Sequence, residues 1–299
     1  MTGSIFTRWE DLRGIRGGNV RHRRAVKEWM KTHPAILYWG DSWFSTPLYP
    51  NLARQSAARI DGLRMIVGKP GATTEDLLES RKIDTMAGRI RGNAFDVLCI
   101  SMGGNDALSK RLEVPFDPWI KGRPARIDAD EAFDILAESG AFSRILDRYR
   151  QLLNALRRDV LVSNPDFRVV GQSYAPLCRI GVAGDLTIDN IGLLALLKGD
   201  VGPWLWGPMR RVLTSIEEGA RFSGLMLVKG FRDSVLGPLR AEHADIFSYA
   251  NLASIGSLAD PELWYDEIHP KESGFSACAP VLNDALRAAL PAEKRAAIH

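Results

Sequence analysis

Long apolar runs are missing from this sequence. No window approaches the ~18 consecutive apolar residues of a membrane-spanning helix, so no membrane span is expected. The first thirty residues are rich in arginine and hold no apolar core of the kind a cleavable secretory signal needs, which makes the cytoplasm the expected compartment. Cysteine is scarce. Cys99, Cys178 and Cys278 are far apart, odd in number and without CxxC spacing, which argues against a disulfide framework and a zinc knuckle alike. They read as reduced, mostly buried thiols. Internal repeats, low-complexity tracts and a clear interdomain linker are also lacking.

What is present is the composition of an ordinary globular protein: 299 residues, 45% hydrophobic and 25% charged. The net charge of +3 is unevenly spread, because residues 12–31 hold seven Arg or Lys against the single acid Glu28. Such a cluster reads either as a patch for nucleic acid or anionic membrane, or as a solvated amphipathic arm, which is the commoner case. No nucleic-acid partner is therefore expected. The simplest division is a basic N-terminal arm or helix over 1–31 and one domain over 32–299.

Residues 35–39 (AILYW) form a continuous apolar run stopped by Gly40, the pattern of a strand buried on both faces. Segments 63–67, 96–101, 167–172 and 246–249 have the same character, and stretches of helical periodicity over 73–80, 142–159 and 209–219 lie between them. Strand and helix alternate, which predicts an α/β sandwich with a parallel sheet of about five strands. Two connections are longer than a crossover requires. Residues 108–140 contain Pro115, Pro118, Trp119 and Pro124, and residues 177–208 contain a helical pattern over 187–198 followed by a Trp-rich stretch. Long insertions at one end of a sheet commonly shape a pocket.

Four short motifs bear on chemistry. Gly40-Asp41-Ser42 falls where a buried strand ends, the position at which open α/β sheets bind ligands and at which a serine entering a turn is exposed. A plain turn with an N-cap fits the tripeptide equally well, since it arises by chance in about one in ten chains of this length. In Asp266-Glu-Ile-His269-Pro270, a carboxylate three residues before an imidazole is able to accept the Nδ1 proton and leave Nε2 free to act as a base. Met102-Gly103-Gly104-Asn105-Asp106 follows the 96–101 segment, and its glycines allow Asn105 to present an amide N–H to a negatively charged oxygen. In Pro70-Gly71-Ala72-Thr73-Thr74, Gly71 precedes a Thr-capped helix and offers a second N–H donor. Taken together they supply a nucleophile, a base with its orienting acid, and three oxyanion donors: the N–H groups of Ser42 and Gly71 and the side chain of Asn105.

In this order the motifs resemble those of the SGNH/GDSL hydrolase family: a serine in Gly-Asp-Ser, an oxyanion glycine, a Gly-x-Asn-Asp motif and an Asp-x-x-His pair, here spanning roughly residues 35–285. The resemblance implies a flavodoxin-like three-layer α/β/α fold and hydrolysis of esters or thioesters without metal or cofactor, through a covalent acyl-enzyme. Ser42 would attack, His269 would shuttle the proton and Asp266 would steady the imidazolium. Asp41, Gly104 and Asp106 would support the site. Trp43 stands where the family usually has leucine, a departure that bears on the pocket rather than on the reaction. Trp43, Trp204, Trp206 and Trp264 are the candidate pocket lining, whether for an acyl chain or a sugar ring. The expected substrate is a small-molecule or glycan ester with a short or medium acyl group. An acyltransferase of the same fold and a non-catalytic module that kept the fold remain the alternatives.

Overall fold

The computed structural model describes residues 5–46, 50–122, 125–184 and 202–299. The helical pattern read over residues 187–198 lies outside them. Six parallel strands form one sheet: β1 (Ile5–Phe6), β2 (Ala35–Gly40), β3 (Leu63–Gly68), β4 (Val97–Ser101), β5 (Arg168–Gln172) and β6 (Phe247–Ala250), in the order β1-β3-β2-β4-β5-β6. Every residue of β2 and β4 is buried, which is why these strands read as unbroken apolar runs rather than as alternating ones. Helices Leu52–Ala57 and Glu272–Ala289 pack together on one face, while Ser80–Asn93, Ala141–Leu156 and Leu225–Leu236 cover the other. The result is a three-layer α/β/α sandwich. Among the described residues no helix is long and apolar enough to cross a membrane.

The sheet has one strand more than the sequence pattern predicts. The addition is β1, which pairs Ile5 with Arg64 and Phe6 with Met65 at the sheet edge, and two residues are too few to show a period. Behind it, helices Trp9–Gly17 and Val20–Trp29 occupy the basic segment. Helix expectations hold less well than strand expectations. The 73–80 pattern is only the short helix Thr74–Leu77, closed by a Thr73/Asp76 capping box, and the longer Ser80–Asn93 follows it. The 142–159 pattern is helix Ala141–Leu156, which continues into the wider turns of Arg157–Leu161. The 209–219 pattern is broken. Helix Trp206–Met209 stops, Leu213 bridges to Ile127, and Ser215 then caps helix Ile216–Gly224. A tertiary contact to a distant segment overrides the local period there.

Topology places the site. From β2 the chain crosses to β3 on one side and then returns to β4 on the other, so a crevice opens beyond the C-terminal ends of β2, β3 and β4. Segments carrying Ser42, Gly71 and Asn105 are the ones that leave those three ends. Gly40 makes their close approach possible: Asp41 N–H donates to Ser101 O at 2.8 Å, and a Cβ on Gly40 would stand 2.4 Å from that same carbonyl. We predict that Gly40→Ala destabilises the protein by about 1–3 kcal/mol through overpacking against backbone. Chemical denaturation measures it, and an unchanged midpoint would show that β2 and β4 separate freely.

Candidate active site

Asp41 ends β2 in an extended conformation and caps helix Ser42–Ser45, its Oδ1 accepting from Trp43 N–H at 3.0 Å. Ser42 is thereby fixed as the first residue of a helix whose N-terminus faces the crevice. Asp41 is itself almost wholly buried. Its carboxylate also accepts from Ser101 Oγ at 2.9 Å and from Tyr174 OH at 2.5 Å, and Gln172 Nε2 donates to Ser101 Oγ at 2.8 Å. Burial raises the Asp41 carboxyl to about 6, against the pull of the hydrogen bonds from Tyr174, Ser101 and Trp43.

Opposite Ser42 stands the loop before helix Glu272–Ala289. Tyr265 N–H donates to His269 O at 2.8 Å and Lys271 N–H to Leu263 O at 2.7 Å, closing the loop as a hairpin. Within it, Asp266 Oδ1 accepts from the backbone N–H of Ile268 at 2.8 Å and of His269 at 2.7 Å, while Oδ2 lies 2.8 Å from His269 Nδ1. His269 Nε2 lies 2.9 Å from Ser42 Oγ. Ser42, His269 and Asp266 therefore form one buried chain of hydrogen bonds, and its pairing makes Nδ1 the donor to Asp266 and Nε2 the acceptor from Ser42. Burial disfavours the imidazolium, but the charge and hydrogen bond of Asp266, with the charge of Asp41 behind it, outweigh this and hold the His269 pKa above its ordinary 6.5.

Asn105 lies in the tight turn Gly104–Ala107 after β4, entered through Gly103 at φ +115°, a conformation that favours glycine. One of its amide hydrogens donates to Ala72 O at 3.0 Å, leaving the second for the crevice. Asp106 faces away from the crevice. It accepts from Thr74 N–H at 2.8 Å and Thr74 Oγ1 at 2.6 Å, fastening the Asn105 turn to the segment that carries Gly71.

Two recesses meet at Ser42. A small pocket of about 30 Å³ is lined by Trp43, Leu108, Tyr174, Leu177, Met226 and Leu227, together with Asp41, Gly104 and Asn105. A wider cleft of about 330 Å³ is lined by Lys69, Gly71, Asn105, Lys110, Trp204 and His269. Gly71 and Asn105 thus share a rim with Ser42. Of the four candidate pocket tryptophans, Trp43 and Trp204 border these recesses, and Trp204 packs edge-on against the His269 ring with centroids 5.5 Å apart. Trp206 and Trp264 line neither: Trp264 is wholly buried and donates to Leu258 O, and Trp206 packs against Gly181 and Gly219. Among the described residues no group of three or more His, Cys, Asp or Glu side chains is placed to hold a metal ion.

No family model matches the sequence, and no curated protein does. Similarity appears among solved structures. A lipase from a goat rumen metagenome aligns over 88% of this chain and 99% of its own, with a TM-score of 0.52 at 14% identity. This chain has the SGNH/GDSL hydrolase fold. An extracellular lipase from Streptomyces rimosus (17% identity, 84% of this chain and 99% of that one, TM-score 0.48) and a phospholipase A1 from Streptomyces albidoflavus NA297 (16%, 85% and 99%, 0.48) are also similar.

On this SGNH/GDSL frame, several residues that the sequence reading passed over hold the site together. Tyr174 and Ser101 supply two of the three donors to Asp41, and neither stands in a recognisable motif. Glu267 sits inside the Asp266-x-x-His269 spacing, so a signal was available. It is completely buried and accepts backbone N–H groups from Gly181 at 2.9 Å, Leu205 at 2.7 Å and Trp206 at 3.0 Å. Burial raises its pKa, and the three N–H donors work against that rise. Glu267→Ala orphans three donors and should cost roughly 3 kcal/mol or more of stability, while loosening the Trp204 wall beside His269. Denaturation together with kcat measures both effects, and a loss below about 1 kcal/mol would mean the insertion is held by other contacts.

Proposed function

We propose that this chain is a serine hydrolase that cleaves carboxylic esters of short or medium acyl chain, acetylated carbohydrates included, through a covalent acyl-enzyme on Ser42. The observation that carries this reading is the continuous pairing Ser42 Oγ to His269 Nε2 at 2.9 Å and His269 Nδ1 to Asp266 at 2.8 Å. As Oγ attacks the acyl carbonyl, Nε2 takes its proton. The Asp266 carboxylate stabilises the imidazolium that forms. The carbonyl oxygen gains negative charge, which the free Asn105 amide hydrogen and the N–H groups of Ser42 and Gly71 receive. Collapse of the tetrahedral intermediate breaks the ester C–O bond, and the imidazolium returns its proton to the leaving oxygen. Water then attacks the acyl-enzyme by the same route in reverse, His269 taking the water proton and giving it back to Ser42 Oγ. A small apolar pocket beside Ser42 suits a short acyl chain better than a long one.

The direct test is para-nitrophenyl acetate and butyrate with wild type, Ser42→Ala and His269→Ala. Both variants should lose on the order of 10⁴–10⁶-fold in kcat. Activity surviving in Ser42→Ala would remove that residue as nucleophile. Asn105→Ala should cost about 2.7–4 kcal/mol of transition-state stabilisation, and a negligible change in kcat would take it out of the oxyanion site.

The pH profile follows from the raised His269 pKa. Only the neutral imidazole accepts the Ser42 proton, so kcat/KM should fall on acidification with a midpoint above 6.5. In Asp266→Asn the carboxylate charge is gone and burial dominates, so the midpoint should move down while kcat drops by about 10⁴. An acid limb that stays in place in Asp266→Asn would assign it to another group.

A further inference from the structure

The two recesses at Ser42 differ in chemistry, and His269 opens onto only one of them. The smaller is walled by Trp43, Leu108, Leu177, Met226 and Leu227, whereas the wider cleft holds His269 together with Lys69, Lys110 and Arg111. Arg111 is engaged by Glu75, 2.5 Å away. Lys69 and Lys110 are exposed and make no ion pair among the described residues, although the charge of Lys69 reaches Asp76. Among the described residues Asp76 is the one carboxylate lining the cleft, and its Oδ2 accepts from the N–H and Oγ1 of Thr73 at 3.1 Å each. With three cations against one carboxylate, the described lining of the cleft carries net positive charge beside His269.

Reaction geometry decides which half of an ester lies there. In the proposed mechanism, on which this inference rests, the bond from Ser42 Oγ to the acyl carbon forms, the bond from that carbon to the leaving oxygen breaks, and the proton for that oxygen comes from His269 Nε2. The leaving oxygen must therefore depart on the His269 side, into the cationic cleft, and the acyl chain must occupy the apolar pocket. We infer that the natural substrate is an ester whose alcohol half carries a negative charge, a carboxylate or a phosphate, read by Lys69 and Lys110.

Matched aryl acetates test this: para-acetoxybenzoate and para-acetoxyphenyl phosphate against neutral para-acetoxybenzamide, which share the acyl group. Wild type should prefer the anionic esters roughly tenfold in kcat/KM, mainly through KM, with the preference eroding near 0.5 M salt. In Lys69→Gln/Lys110→Gln the ratio should fall to about unity. Whether benzoate or phosphate is favoured assigns the charged group. Equal rates on anionic and neutral esters in wild type, or a ratio that survives in the double variant, would overturn the inference and leave the hydrolase standing. A second readout needs no turnover: phenyl phosphate binding to Ser42→Ala by calorimetry, with and without the two lysine substitutions. Binding that weakens about tenfold without the lysines supports the anionic subsite even if no ester is cleaved, in which case the hydrolase reading alone falls. No binding in that case overturns the subsite as well.

Discussion

A carboxylate withdrawn from water at the end of a central strand has to be met by donors, and Asp41 is met by three of them. Trp43 N–H comes from the turn it caps, Ser101 Oγ from the end of β4 and Tyr174 OH from the segment after β5. One side chain thus ties the ends of three neighbouring strands, and Ser42 is the residue directly after it. The same carboxylate adds negative charge behind His269, working with Asp266 to keep the imidazole basic despite its burial. The position of the serine therefore depends on this buried group, and the basicity of the histidine, set mainly by Asp266, is reinforced by it.

The opposing wall is held by long-range contacts of the same kind. Trp43 Nε1 donates to Ile268 O at 3.1 Å, joining the serine turn to the histidine loop across 225 positions of sequence. Glu267 gathers the N–H groups of Gly181, Leu205 and Trp206, and Ser109 N–H donates to Trp204 O at 2.9 Å, so the two long connections meet over the cleft. These polar anchors join the two connections to each other and to the histidine loop, alongside short helices such as Ser109–Glu113 and Ala129–Glu138 in the first of them. Trp204 is brought against His269 as a consequence, and with Leu108 and Ile268 it gives the cleft an apolar edge facing Lys69, Lys110 and Arg111.

Strands were far more legible in the sequence than helices. β2 and β4 are apolar runs because both faces are covered, and β3 and β5 are buried over most of their length, a condition that leaves its mark residue by residue. β1 escaped notice because a two-residue edge strand is specified by its partner β3. The 209–219 helix pattern failed because Leu213 and Thr214 are drawn to Ile127, a pairing no local window contains. Neither a place in the long insertion, as for Trp206, nor a place beside a motif, as for Trp264, tells whether an indole points into the core or into the crevice.

By itself the sequence determined the order of the strands along the chain, the places where they stop, and the short-range pairs whose chemistry is complete within a few residues: Asp41 capping the turn at Ser42, and Asp266 reaching His269 three positions on. These rest on local geometry, which sequence spacing encodes directly. Only the tertiary structure decided that Ser42 and His269, 227 positions apart, come to 2.9 Å. It alone also decided that Tyr174 and Glu267 are buried anchors, and that an apolar pocket and a wider cleft bearing Lys69 and Lys110 meet at the serine. Those outcomes depend on strand order within the sheet and on which connection crosses which end, relations between distant segments that no spacing along the chain records.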